Sequence, residues 1–192
     1  MNYTKALSVE PLQSNLKVRL PDEDVMLSMD CSAMELMSDF SHSIPPMIEA
    51  STSVEEADHL MRREHCTYKI VIGNEEEFRG IITLLDIHSS ATMRATTSTG
   101  LSRSELSVTE VMVPRSELHA LRFSKFERAN VRDIVGLLQS LGERFLLVID
   151  DDTGSLRGLV SSRSVTRRLA LPNMPLKPAR TFAEIQTALR QR

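Results

Sequence analysis

A threonine and an aspartate three residues apart, Thr83 and Asp86, are the side chains best suited to recognition chemistry in this 192-residue chain. They stand where the apolar run Gly80-Ile-Ile82 gives way to Leu84-Leu-Asp-Ile87, the point at which a strand ends and a helix begins. At such a junction the first N–H groups of the helix lack intrahelical partners and its dipole is positive, which favours an anion such as phosphate. Asp86 brings two acceptor oxygens, enough for both hydroxyls of a ribose, and Thr83 adds a hydroxyl for ribose or phosphate. Tyr68, at the start of the apolar run Tyr68-Lys-Ile-Val-Ile72, is placed to lie against a purine. Backbone groups near Thr67 are placed to read its edge, and Met47 is a further candidate for that pocket. The same Thr-x-x-Asp spacing is also a capping pair that stabilises a helix without any ligand.

The elements that position these residues occur twice. Val54–Met61, Tyr68–Ile72 and Gly80–Ile87 return as Val131–Leu138, Phe145–Ile149 and Gly158–Val165, in the same order and at offsets of 77, 77 and 78 residues. A repeated unit too small to bury its own apolar faces packs against its twin, and the cleft between two equivalent halves is where a ligand is expected. In the first copy Pro45-Pro46 rule out a helix, so Met47–Ala50 reads as a short strand. Ser53 with Glu56 has the spacing of a capping box, and Val54, Ala57, Leu60 and Met61 line one helical face. Tyr68–Ile72 and Phe78–Ile82 read as strands, and a second helix follows from Leu84. In the second copy a short helix over Val108–Met112 stops at Pro114, and His119–Phe123 is a strand. Asn130 caps a helix striped by Val131, Ile134, Val135, Leu138 and Leu141, and two strands then flank the acidic turn Asp150–Gly154. The expected organisation is an arm over 1–32, repeats over 33–95 and 108–171 joined by the Ser/Thr-rich linker 96–107, and a tail over 172–192 with a helix at about 182–191.

This β-α-β-β-α unit, ending in Gly-apolar-apolar-Thr/Ser-x-x-Asp-apolar, resembles the CBS domain, the module named after cystathionine β-synthase. The resemblance spans about residues 33–171 and rests on Gly80, Thr83, Asp86 and Ile87 in the first copy. In the second it rests on Val111-Met-Val-Pro-Arg-Ser116, Val148-Ile-Asp150 and Gly158-Leu-Val-Ser161. It implies an α/β (α+β) fold in which two repeats pack as a pseudo-twofold pair, a Bateman module that binds an adenine nucleotide or related adenosyl ligand in the inter-repeat cleft. It also implies a homodimer that signals to a protein partner by a change of shape or association. The second copy departs from the pattern. Ser161 keeps the hydroxyl, but Ser164 stands in place of the aspartate, and the neighbouring Arg163 is instead suited to meet phosphate as a bidentate donor. A dimerisation or scaffold module whose nucleotide site has decayed is the alternative reading.

Composition narrows the remaining classes. A net charge of −3 argues against a general nucleic-acid surface, which needs concentrated positive charge. The basic residues Arg115, Arg122, Lys125, Arg128, Arg163, Arg167 and Arg168 all fall in the second repeat, where a solvated helix face competes with phosphate contact. Apolar runs of about five residues are far short of the roughly 20 of a spanning helix, and the first residues lack a signal-peptide core. With two isolated cysteines, Cys31 and Cys66, this makes a cytoplasmic protein the expectation. Five histidines without metal-ligand spacing, and the lack of nucleophile-elbow, P-loop and dinucleotide motifs, point away from an enzyme and from a required cofactor or metal.

Overall fold

The computed structural model describes residues 26–169. Most of the expected arm 1–32 and the tail 172–192, with its helix at 182–191, lie outside the described residues. The first half holds β1 (Ser38–Asp39), β2 (Met47–Glu49), α1 (Val54–Arg63), β3 (Tyr68–Ile72), β4 (Phe78–Thr83), α2 (Leu84–Ile87) and α3 (Ser90–Thr99). The second holds β5 (Val113–Pro114), β6 (Ala120–Arg122), α4 (Phe123–Phe126), α5 (Val131–Leu141), β7 (Phe145–Ile149), β8 (Leu156–Ser161) and α6 (Ser162–Arg168). This is the expected mixed α/β architecture in two copies.

Each copy has one amphipathic helix over a mixed sheet. Ser53 caps α1 by accepting the Glu56 N–H at 3.1 Å, and Val54, Ala57 and Met61 on its inner face are buried. Asn130 and Asp133 form a full capping box on α5, whose Val131, Ile134, Val135 and Leu138 are buried. A fully buried side chain of this kind contributes roughly 1.5–3 kcal/mol, so tertiary packing, not intrinsic propensity, holds these short helices.

The sheets are assembled across the repeat boundary. One runs β2-β3-β4-β5 and the other β6-β7-β8-β1, so the lead strand of each copy adds to the edge of its twin's sheet. β5 lies antiparallel to β4 with Gly80 opposite Pro114, and β1 lies antiparallel to β8 with Gly158 opposite Asp39. The helical turns ahead of these strands cross over too. Ala33 and Leu36 are buried among Phe126, Val131, Ile134 and Val160, whereas Leu106 and Val108 are buried among Val54, Met61, Val71 and Ile82. A third cluster, with Ile70 and Ile81 from one copy and Phe145, Leu147 and Leu159 from the other, fills the space between the sheets. The two copies therefore share three cores.

Several local expectations shift. The helix expected from Leu84 is two helices: α2 ends after one turn, and Ser89 starts α3 by accepting the Thr92 N–H at 3.3 Å. The break is held by the Asp86 carbonyl, which accepts hydroxyl hydrogen bonds from Ser89 and Thr92 at 2.8 and 2.5 Å. α3 continues through Thr99 to a left-handed Gly100, so the first part of the expected linker is helical. The strand expected over His119–Phe123 is confined to Ala120–Arg122, because Phe123 turns into α4. Asp150 closes the acidic turn on itself, its Oδ1 accepting the Asp152 and Thr153 N–H groups at 3.1 and 2.9 Å.

Candidate functional site

The register of β3 against β4 places Tyr68 opposite Thr83, and the Leu84 N–H donates to the Thr67 carbonyl at 3.3 Å. Thr67, Tyr68, Thr83 and Asp86 are thereby gathered at one end of the first sheet. Met47 lies on the neighbouring strand opposite Ile70, partly buried in the inter-sheet cluster. The Met47 carbonyl is tied by the buried Lys69, whose Nζ donates to it at 3.3 Å and to Glu64 at 2.6 Å.

Thr83 and Asp86 form a complete capping box. Asp86 Oδ2 accepts from the Thr83 N–H at 3.0 Å and from the Thr83 hydroxyl at 2.6 Å, while Thr83 Oγ1 accepts the Asp86 N–H at 3.2 Å. The capping role is thus present. The dipole expected at this point is small, however, because α2 is a single turn and a macrodipole needs several aligned peptides. What the site offers is side-chain acceptors.

Those acceptors are met from the opposite copy. Arg144, just ahead of β7, donates from Nη1 to Thr83 Oγ1 at 3.1 Å and from Nη2 to Asp86 Oδ1 at 2.7 Å. The pair is largely sheltered, with side-chain exposures of 29% for Arg144 and 15% for Asp86. Arg144 is absent from the basic residues singled out in the sequence, yet a signal for it exists. The 77-residue offset aligns it with Thr67, so pseudo-twofold packing sends it toward the twin of its own site.

Tyr68 likewise meets a side chain of the opposite copy. Its ring meets Phe145 edge-on, with centroids 5.5 Å apart and planes at 60°, a favoured aromatic geometry. Burial pushes the Tyr68 hydroxyl above its ordinary 10.0, against the opposing effect of a hydrogen bond with Ser38 on the exchanged strand β1.

The second copy repeats the geometry with fewer groups. Ser161 caps α6 by accepting the Ser164 N–H at 3.1 Å, and the Ser162 N–H donates to the Arg144 carbonyl at 2.9 Å, the counterpart of Leu84 and Thr67. Ser164 supplies no carboxylate. Arg163 is exposed and makes no hydrogen bond or ion pair with the described residues, so it is not drawn toward Ser161. His119 Nδ1 contacts Glu143 Oε1 nearby, and the other oxygen of Glu143 is buried without a partner.

Among the described residues, no helix is long and apolar enough to cross a membrane, and no group of three His, Cys, Asp or Glu side chains is placed to hold a metal ion.

Residues 33–91 match the family model of the CBS domain. A search of curated protein sequences finds no match. Among solved structures, CBSX2 in complex with AMP superposes with a TM-score of 0.51 at 22% identity, covering 71% of this chain and 94% of that one. CBSX2 determined from Arabidopsis thaliana gives a TM-score of 0.50 at 22% identity, with 71% and 92% covered. An uncharacterized conserved protein from Pyrococcus horikoshii gives 0.53 at 17% identity, with 77% and 98% covered. The family match thus covers the first copy, and the fold formed by both copies together is similar to the fold of these structures.

Proposed function

We propose that this chain is a tandem CBS pair, a regulatory module that binds an adenine nucleotide in the inter-repeat cleft, at the first-copy site, without consuming it. The observation that carries this reading is the acceptor pair formed by Thr83 Oγ1 and Asp86 Oδ1, which a side chain of the opposite copy reaches with two parallel donors. Two adjacent acceptors facing two adjacent donors is the arrangement that the hydroxyls of a ribose would meet. Thr67, Tyr68 and Met47 would border the base, and the AMP held by CBSX2, a protein of similar fold, supports an adenine ligand. The second-copy site, with Ser161 and Ser164 and an outward Arg163, lacks the carboxylate and is proposed to contribute phosphate contact at most.

Because the two copies share cores and exchange edge strands, a ligand that favours one spacing of the halves alters the whole pair. The signal would pass to a protein partner through a change of shape or association, with a cytoplasmic homodimer as the working assembly. The second reading, a scaffold with a decayed site, is favoured by one observation: Arg144 already holds Thr83 and Asp86.

A thermal-shift series with AMP, ADP and ATP tests the proposal. A ligand that binds only the folded chain stabilises it by about 2.7 kcal/mol at 100 times its dissociation constant, so at least one nucleotide should raise Tm in wild type and not in Asp86→Asn. No shift at millimolar concentration of any of the three would favour the scaffold.

A further inference from the structure

The lone pairs at the first-copy site can be counted. Asp86 Oδ2 accepts from both the N–H and the hydroxyl of Thr83, which uses both of its positions. Thr83 Oγ1 accepts from the Asp86 N–H and from Arg144, which also fills it. Asp86 Oδ1 accepts only from Arg144 and keeps one position. Two neighbouring hydroxyls therefore cannot both donate here while Arg144 stays. When it withdraws, it frees one position on each of two adjacent oxygens.

We infer that Arg144 is an internal occupant of the ribose clamp, a guanidinium fork standing where a sugar diol would donate, and that its displacement makes the site select phosphorylated nucleotides over uncharged nucleosides. This rests on the nucleotide reading above and adds the class of ligand it admits. The guanidinium stays charged at any working pH and is most stable against a two-oxygen anion. Here its fork instead spans the Thr83 hydroxyl and a single oxygen of Asp86, its counter-charge, in a setting where both partners are mostly sheltered from water. A nucleoside exchanges this charged partner for neutral hydroxyls and leaves Arg144 without a counter-charge at the cleft. A phosphate brings one, with oxygens spaced for the same bidentate contact. Arg144 comes from the second copy and Asp86 from the first, so the exchange also breaks an ion pair between the halves, at the place where a signal would have to start.

Calorimetry with AMP and adenosine on wild type, Arg144→Ala and Arg144→Gln tests this, with far-UV circular dichroism confirming that each chain is folded. Wild type should bind AMP at least about tenfold more tightly than adenosine. In both variants adenosine should bind at least about tenfold more tightly than it does to wild type, and the preference for AMP should shrink by a similar factor. Binding by the variants alone, with wild type binding neither probe, would overturn both the selection for phosphate and the nucleotide reading of the unaltered chain. If wild type binds AMP in an Asp86-dependent way but adenosine gains nothing from either Arg144 variant, Arg144 is only a brace, and this inference falls while the nucleotide reading stands. If neither probe binds any of the three folded chains, both fall.

Discussion

Two glycine-to-alanine substitutions should change stability in opposite directions, because one glycine is required by the exchanged strands and the other by nothing nearby. At Gly80 a Cβ would run into the carbonyl oxygen of Val113, with Met112 Sδ at 3.0 Å and Pro114 Cα at 3.1 Å. Val113 and Pro114 form β5, which is fixed to β4 by backbone pairing at that residue, so the obstruction cannot rotate away as a side chain would. Overpacking of this kind costs about 1–3 kcal/mol, and for a chain of this size each kcal/mol is worth about 2–4 °C. Gly80→Ala should therefore lower Tm by roughly 2–12 °C. Gly136 lies in the middle of α5, exposed, with no heavy atom within 4 Å of the place a Cβ would take. Gly136→Ala should raise stability by about 0.5–1 kcal/mol by restricting the unfolded chain in a helix interior. Thermal and urea denaturation followed by circular dichroism would read both. A neutral Gly80→Ala would refute the strand-exchange account of that position, and a Gly136→Ala that destabilises by more than about 1 kcal/mol would refute the view that nothing constrains Gly136.

Two further outcomes follow from the packing and the charges. Phe145, 5% exposed and in contact with Tyr68 of the opposite copy, should cost about 3–5 kcal/mol on truncation to alanine, seen as a lower urea midpoint; a loss under about 1 kcal/mol would mean that the inter-sheet cluster does not hold the halves together. In acid, the hydrogen bond from Lys69 holds the Glu64 carboxyl below its ordinary 4.5. Burial pushes Asp58 up, but hydrogen bonds and charge from Arg62 and His88 outweigh it and hold the group below 3.8. Carboxyls depressed in the folded state contribute stability that is present above those ordinary values and lost as pH falls through the folded ones. These two groups should leave Tm level from pH 7 to 5 and pull it down below about pH 4, less steeply in Glu64→Gln; a Tm unchanged down to pH 3 would contradict this.

Periodicity and spacing made the repeat legible, because α1 and α5 carry strong apolar stripes, β7 is an uninterrupted apolar run and β3 is one broken only by Lys69. Thr83 and Asp86 were legible for a similar reason: their spacing specifies local geometry that a cap and a ligand site share. The exchange of β1 and β5 was hidden, since two-residue strands have no periodicity and their partners are distant in sequence. Gly80 and Gly158 stood out as motif residues, but the reason for them, a crossing backbone whose Ser38 carbonyl lies 2.6 Å from a Cβ at Gly158, exists only after the halves pack. Arg144 was hidden in the same way. Nothing adjacent marks it, and its role depends on symmetry bringing residue 144 to residue 86. The break after Ile87 was masked by a sequence that contains no glycine or proline there; it is made by hydroxyls folding back onto one carbonyl.

The most direct test of the nucleotide-binding proposal is titration calorimetry of AMP into wild type, Asp86→Ala and Ser164→Ala, each confirmed as folded. Removing Asp86 deletes charge-assisted hydrogen bonds worth roughly 1.5–3 kcal/mol each, which should weaken AMP at least about tenfold. Ser164→Ala should change affinity by less than about threefold, because its side chain has no carboxylate to lose. Saturable binding to wild type with this asymmetry is the predicted result; equal binding by wild type and Asp86→Ala, or no heat from wild type at millimolar AMP, would contradict it.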